Sequence, residues 1–240
     1  MIWFTSDFHF GHKNILKYCF RPFESVQEMN ERLIDNINKY VKNTDTLYNL
    51  GDWSFDHTRK SPIANADFYR SKINCNNIIS ITGNHDPHYE NGVAKKEFAS
   101  VFSACYNMLR IKVDMGPNTV KRQEIVLNHY AMRIWNKSHH GSWHLYGHSH
   151  YTLPDDPFAL STDVGVDAVA GRATGLTIEG MNLPKNSQAS NMTPSELIAI
   201  AKSVGLKQEN YRPISIFEVE TLMSNKSFKP IDHHDENTKT

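Results

Sequence analysis

The chain has 240 residues, enough to bury one substantial core, and nothing in its composition demands a second full domain. Lys and Arg total 26, as do Asp and Glu, which excludes an overall positive field of the kind that holds long nucleic acids through phosphate contacts. The three cysteines, Cys19, Cys75 and Cys105, are odd in number, widely spaced and without redox or metal-like pairing, as suits a reducing compartment.

Ile2 to Ser6 reads as a short strand, and alternation along an extended chain lets Asp7 and His9 project to one side and reach one cation. The strand starts before a basic leader or apolar signal core could fit, and no apolar run nears the roughly 18 residues of a membrane span, so a cytoplasmic protein without membrane partners is expected. A helix is predicted around His12 to Tyr18. After Arg21-Pro22 a second opens near Ser25, with Glu28 at capping-box spacing and Met29, Leu33, Ile37 and Tyr40 marking its buried face. Thr44 to Leu50 is the next strand and delivers Gly51-Asp52. A helix over Pro62 to Lys72 leads into a strand over Asn77 to Thr82. That strand ends in Gly83-Asn84-His85-Asp86, a turn carrying three different chemistries. Asn84 offers a neutral oxygen to a cation, His85 can carry a proton, and Asp86 can accept hydrogen bonds that brace the turn. Strands alternating with helices mean α/β.

Beyond residue 100, Leu109, Ile111 and Val113 alternate, Gly116-Pro117-Asn118 supplies a turn, and Ile125 and Leu127 alternate again, a hairpin-like pair feeding His129. A strand over Trp143 to Tyr146 feeds Gly147-His148-Ser149-His150, and the later strands are expected to be an antiparallel set. After Val164-Gly165-Val166-Asp167 the stretch Gly171 to Asn191 is polar and without a period. Thr193-Pro194-Ser195-Glu196 then opens a helix through Leu197, Ile198, Ile200 and Ala201, and Ser215 with Glu218 repeats the start signal. The expected organisation is a core over 1–169, an insertion, lid-like or a plain surface subdomain, over 170–211, a return to the core over 212–224, and a polar tail over 225–240. The tail's Asp232-His233-His234-Asp235 is expected to be solvated.

Taken in order, Asp7-x-His9, Gly51-Asp52, Gly83-Asn84-His85-Asp86, His129 after a strand and Gly147-His148-Ser149-His150 resemble the calcineurin-like metallophosphoesterases over residues 2 to about 169. The resemblance implies a four-layer α-β-β-α sandwich of two mixed sheets with the site at the strand ends. It implies that Asp7, His9, Asp52 and His150 hold one divalent metal and that Asp52, Asn84, His129 and His148 hold the other, with Asp52 bridging. This ligand set suits Mn first, with Fe, Zn, Ni or Co as alternatives. Two dications with only two carboxylate ligands leave a cationic cluster that attracts phosphate and lowers the pKa of bridging water. The implied reaction is in-line attack on phosphorus by the metal-bridging hydroxide, with His85 as the catalytic residue that hydrogen-bonds or protonates the leaving oxygen.

His12, Arg21 and Arg133 lie near the ligand turns and are candidate phosphate contacts. In the phosphoprotein-phosphatase branch a carboxylate three residues after the bridging Asp orients the catalytic His; here that position is Phe55, with Asp56 as a candidate substitute. Gly51 to Asp56 also lacks that branch's arginine, and Asp86 stands where it has Glu, so a phosphoprotein phosphatase is disfavoured. The expected function is a dinuclear phosphoesterase acting on a small phosphodiester or nucleotide. A nuclease or nucleic-acid end-processing phosphatase is the runner-up, and a noncatalytic scaffold is a third reading that His85 and the seven ligands argue against. Oligomeric state is left open.

Overall fold

The computed structural model describes residues 1–55, 61–116, 122–184, 189 and 191–231. In the first of two mixed sheets, β1 (Ile2–Thr5), β2 (Thr46–Asn49), β3 (Asn77–Ile81) and β4 (Ala104–Tyr106) run parallel in the order β4-β3-β2-β1. The second has the order β5 (Met108–Val113), β6 (Gln123–Asn128), β7 (Trp143–Tyr146), β8 (Ser161–Asp163). A short β9 (Ile214–Ser215) closes the first sheet antiparallel to β1. The antiparallel pair expected from alternation is β5 and β6, whose turn residues Pro117 and Asn118 lie outside the described residues. The rest of the second sheet corrects the expectation of an antiparallel set, because β6, β7 and β8 are parallel. Parallel neighbours need a crossover. Residues 129–142 provide it with loop and a 3-10 turn at Ser138–His140 in place of a hairpin.

Alternation divides each strand's side chains between two cores. Leu47 and Ile78 face Met29, Leu33 and Ile37 of α2 (Val26–Tyr40), while Phe4, Tyr48 and Ile81 meet Ile125, Leu127 and Leu145 of the other sheet. The two sheets are thereby held face to face, and the turns leaving the C-terminal ends of β1, β2, β3, β6 and β7 converge.

Helix α1 (Ile15–Tyr18) is shorter than predicted, because the His12 amide turns back to the His9 carbonyl at 3.0 Å. At the start of α2 the Ser25 hydroxyl accepts from the Glu28 amide at 3.1 Å, but the Glu28 carboxylate reaches past Ser25 to the Glu24 amide at 2.6 Å, so the capping box is only half closed. The chain continues through α3 (Pro62–Arg70), α4 (Lys96–Ala99), α5 (Val166–Arg172) and α6 (Ile178–Met181). Both α7 (Pro194–Ser203) and α8 (Ile216–Ser224) carry the complete capping box that their sequences predict.

Within 170–211, Ala170 and Gly171 are buried in α5, and Ala201, Leu206 and Tyr211 join the α2-side core. Buried Asn36 of α2 donates to the carbonyls of Gln208 and Tyr211 at 2.9 and 3.0 Å. The tail motif Asp232 to Asp235 lies outside the described residues. Among the described residues no helix is long and apolar enough to cross a membrane.

Candidate metal centre

Five of the seven expected ligands occupy left-handed backbone: Asp7, His9, Asp52, His148 and His150 have φ of 60, 50, 53, 65 and 47°. That region is costly for residues bearing a Cβ and persists only where the surroundings over-determine it. Here the turns pin one another. The Asp7 amide donates to the Gly51 carbonyl and the His9 amide to the Asp52 carbonyl, each at 3.0 Å, and the His148 amide donates to both Asp7 oxygens at 3.0 and 3.1 Å. Gly51, at φ +108°, is required twice over, since a Cβ there would stand 2.5 Å from Nδ1 of His129. A Cβ at Gly83 would run into the Asp52 carboxylate.

Asp86 braces more than its own turn. Its Oδ2 accepts from the Gly83 and Asp52 amides and its Oδ1 from the Trp53 amide, all at 2.9 Å, so it ties the β2 turn to the β3 turn.

These constraints gather all seven expected ligands. The donor atoms of Asp7, His9 and His150 lie within 4.8 Å of one another, and so do those of Asp52, His129 and His148. Oδ2 of Asp52 stands between the groups, 3.3 Å from Nε2 of His9 and 3.5 Å from Nε2 of His129, while its Oδ1 accepts from the His85 amide at 2.8 Å. Oδ1 of Asn84 is 3.0 Å from Nε2 of His129 and 2.8 Å from Nδ1 of His148. Burial pushes the Asp52 carboxyl up, but the adjacent imidazoles of His9 and His129 hold it well below the usual carboxylate range.

The residues fit divalent cations. Nε2 of His9 and Oδ2 of Asp52 are buried without a hydrogen-bond partner, an arrangement that costs about 1–3 kcal/mol per group unless another species satisfies them. Nδ1 of His129 is 2.7 Å from the Leu50 carbonyl, which makes it the protonated nitrogen and leaves the Nε2 lone pair for a cation. Nδ1 of His150 donates in the same way to Oδ2 of Asp167 at 2.7 Å. Mixed imidazole, carboxylate and amide donors suit first-row transition metals.

Asp167, to which its sequence context assigns no role, adjoins the site and changes the role of Arg21. The Arg21 Nε and Nη2 donate to Asp167 Oδ1 and Oδ2 at 2.8 and 2.7 Å, Nη1 donates to the Phe8 carbonyl at 2.9 Å, and Nη2 donates to the Asp7 carbonyl at 2.6 Å. Arg21 is fully buried, with every guanidinium nitrogen engaged, so the expectation that it contacts phosphate is corrected: it is a positioning residue for Asp167 and the Asp7 turn. Burial pushes the Asp167 carboxyl up, but Arg21 and the His150 hydrogen bond hold it well below the usual range. A second overlooked carboxylate, Asp163, accepts from the Gly165 amide at 2.7 Å and the Tyr151 amide at 3.3 Å; burial and the nearby Asp7 charge raise its pKa to about 6. The available signal was a glycine-containing polar turn after a strand, the same signature that marks the ligand turns.

Arg133 is also corrected. It is exposed and lines a separate depression with Tyr146, Leu153, Phe158 and Lys229, bordered by none of the seven ligands. His12 does adjoin the centre, its Nδ1 3.3 Å from Nδ1 of His9. Burial, with the neighbouring His9, His85 and Arg21, lowers its pKa to about 3, so at neutral pH it offers a hydrogen bond and no charge. His85 stands exposed at the rim, its ring 5.1 Å from that of His9 and edge-on to Phe55 at 4.8 Å. An aromatic ring thus occupies the place of an orienting carboxylate, and the candidate substitute Asp56 lies outside the described residues.

The Aquifex aeolicus protein of unknown function AQ665 has a solved structure that matches this chain with a TM-score of 0.51 at 19% identity, over 92% of this chain and 98% of that one, which shows a shared fold. The gene 66 protein of Mycobacterium phage L5 is 28% identical over 187 residues, 69% of this chain and 86% of its own. The uncharacterized protein MJ1445 of Methanocaldococcus jannaschii is 44% identical over 85 residues, 35% of this chain and 46% of its own, so the match spans about half of that relative. A family model described as calcineurin-like phosphoesterase matches residues 1–171, a span that includes all five ligand turns and Asp167, and the chain belongs to that family.

Proposed function

We propose that the protein hydrolyses small phosphoesters, phosphodiesters or nucleotides, with two divalent cations held by the seven gathered side chains. The observation that carries this reading is one buried oxygen of Asp52 that accepts no hydrogen bond, belongs to the donor group of His129 and His148, and lies 3.3 Å from His9 of the other group. When bound, the cations supply charge for the phosphoryl oxygens and a nucleophile drawn from water. The chain's own groups do the rest. The Leu50 carbonyl and Asp167 fix the tautomers of His129 and His150, and Arg21 and Asp86 hold the turns that present Asp7 and Asp52. His85, tied through its amide to Asp52, presents an exposed imidazole at the rim to hydrogen-bond or protonate the leaving oxygen. No side-chain nucleophile is needed.

A small substrate is favoured over nucleic acid because the formal charge balance of zero gives little counterion-release affinity for a long polyanion. The test is a phosphate panel of monoesters, linear and cyclic diesters, nucleotides and oligonucleotides, offered to enzyme reconstituted separately with Mn, Fe, Zn, Ni and Co. Chelator-sensitive hydrolysis of small esters supports the proposal. Degradation of DNA or RNA with steep salt dependence, and indifference to small diesters, would establish a nuclease. Metal binding with no hydrolysis of any member would establish a scaffold.

A further inference from the structure

A cavity of about 480 Å³ opens beside the metal centre on the side of His150 and Asp167, and it is formed largely by the segment over 170–211. Its walls include Tyr18 of α1, Met181 and Leu183 at the end of α6, and Leu206 and Tyr211 further along the chain. Tyr18 stacks edge-on to His12 at 6.2 Å, and His12 is 5.2 Å from His9, so the wall is continuous with the centre. A second cavity, of about 260 Å³, lies at His85 and Phe55 and shares no lining residue with the first. His9 connects the two sides, its ring 5.1 Å from His85 and 5.0 Å from His150.

The two cavities differ in chemistry. The larger is of the size general for small-molecule sites, roughly 300–1,000 Å³, with apolar and aromatic walls and a few polar groups such as Thr152, Glu179 and Asn182. Among the described residues that line it there is no Lys or Arg, and Arg21 behind it is fully spent on Asp167 and two carbonyls. Among the described lining residues a second phosphate would find no Lys or Arg partner, whereas an uncharged organic group would find apolar surface. The smaller cavity holds His85, the group positioned to serve a leaving oxygen.

We infer that the larger cavity is a binding site for an uncharged, ring-bearing organic group on the phosphate, retained while the ester bond facing His85 is cleaved. The substrate class is therefore a phosphodiester with two different arms. The 170–211 segment then supplies specificity, and Gly171 is needed for it, because a Cβ there would run into the Tyr151 ring that lines the cavity. This inference rests on the phosphoesterase reading, and its test keeps the two apart.

The metal-loaded enzyme is assayed on methyl, phenyl and thymidine 5′ esters of p-nitrophenyl phosphate, and on p-nitrophenyl phosphate itself. Binding of two non-hydrolysable probes, benzylphosphonate and methylphosphonate, is measured by calorimetry. The variants are Leu183→Trp and, should that fold poorly, Ile178→Trp, both of which fill the cavity away from the ligands. Expected are at least about a tenfold preference for phenyl and thymidyl over methyl diesters and a similar preference for benzylphosphonate, from burial of the ring. Both preferences should vanish in the filled variants, whose metal stoichiometry should stay that of the parent. Equal use of methyl and phenyl diesters, a preference for the monoester, or filled variants that keep the ring preference would overturn the inference and leave the phosphoesterase reading standing. Absence of any hydrolysis would defeat that reading, and the phosphonate titration would still decide whether the cavity takes a ring.

Discussion

Asp52 has one oxygen committed to the His85 amide, which leaves its Oδ2, 3.3 Å from His9 and 3.5 Å from His129, as the atom within reach of both donor groups. Asn, like Asp, tolerates left-handed backbone, and Asp52→Asn therefore tests the charge nearly alone. The variant should lose both metals by elemental analysis, whereas His9→Ala should lower the stoichiometry by about one; full occupancy and normal activity in Asp52→Asn would sink the bridging role. The His85 ring meets that of His9 edge-on but belongs to neither donor group, so His85→Asn should keep both metals and lose rate by about 10² to 10⁴-fold. The loss should be smaller for a nitrophenolate leaving group than for an alkoxide, and equal losses would argue against proton transfer. Arg21→Leu leaves the Asp167 carboxylate buried with only His150 to meet it, which is expected to cost about 3–5 kcal/mol in urea unfolding. Asp167→Asn leaves the buried Arg21 cation without its counter-charge, so it too should be destabilised, and it should in addition weaken metal affinity about 10 to 100-fold, because the His150 tautomer is no longer fixed by a carboxylate. Unchanged affinity would reduce the Arg21 network to a structural brace.

Elements explain which of these features could be read from sequence. The ligand turns were legible because each follows directly from a strand with its own local pattern, and the repetition of Gly, Asp, Asn and His at strand ends compounds the signal. The brace behind them was not, because Arg21 and Asp167 are 146 residues apart and neither has a local reason to be functional. Strands β8 and β9 were missed for a related reason: Ser161-Thr162-Asp163 and Ile214-Ser215 are too short or too polar to show a period, and they are strands only because Tyr146 and Trp3 pair with them. Likewise the polar stretch from Gly171 to Asn191 shows no period, although Gly171 and Met181 within it are buried. On β7 the buried His144 packs away from the inter-sheet core, where its Nδ1 meets the Val126 carbonyl at 3.1 Å and its Nε2 accepts from the Met132 amide at 3.1 Å. Burial lowers its pKa from 6.5 to about 4, against the pull of the Val126 and Tyr130 carbonyls, which favour the protonated ring. The folded state then binds fewer protons than the unfolded one between those values, so this contribution is complete above about pH 6.5 and is lost as pH falls toward 4. The total is roughly 3 kcal/mol. With chelator present throughout, His144→Gln should flatten the urea stability profile across that window, and an unchanged slope would assign the acid lability elsewhere.

At the scale of the whole molecule, the centre is a seam between the two sheets. Asp7, Asp52 and Asn84 follow strands of the first sheet, while His129, His148 and His150 follow strands of the second. Cations held by both groups would therefore cross-link an interface otherwise made by apolar contact between Phe4, Tyr48 and Ile81 on one side and Ile125, Leu127 and Leu145 on the other. An unfolded chain presents no such array, so metal affinity should appear as folding stability. At a free metal concentration about 100 times the dissociation constant one site contributes about 2.7 kcal/mol. For a chain of this length each kcal/mol moves the thermal midpoint by roughly 2–4 °C, so chelation should lower Tm by about 5–10 °C per site lost. The shift should grow with the logarithm of metal concentration, be nearly absent in Asp52→Asn and be about halved in His9→Ala. A metal that binds with the expected stoichiometry yet leaves Tm unmoved would bind folded and unfolded chains alike, and the seam would then be no preformed site.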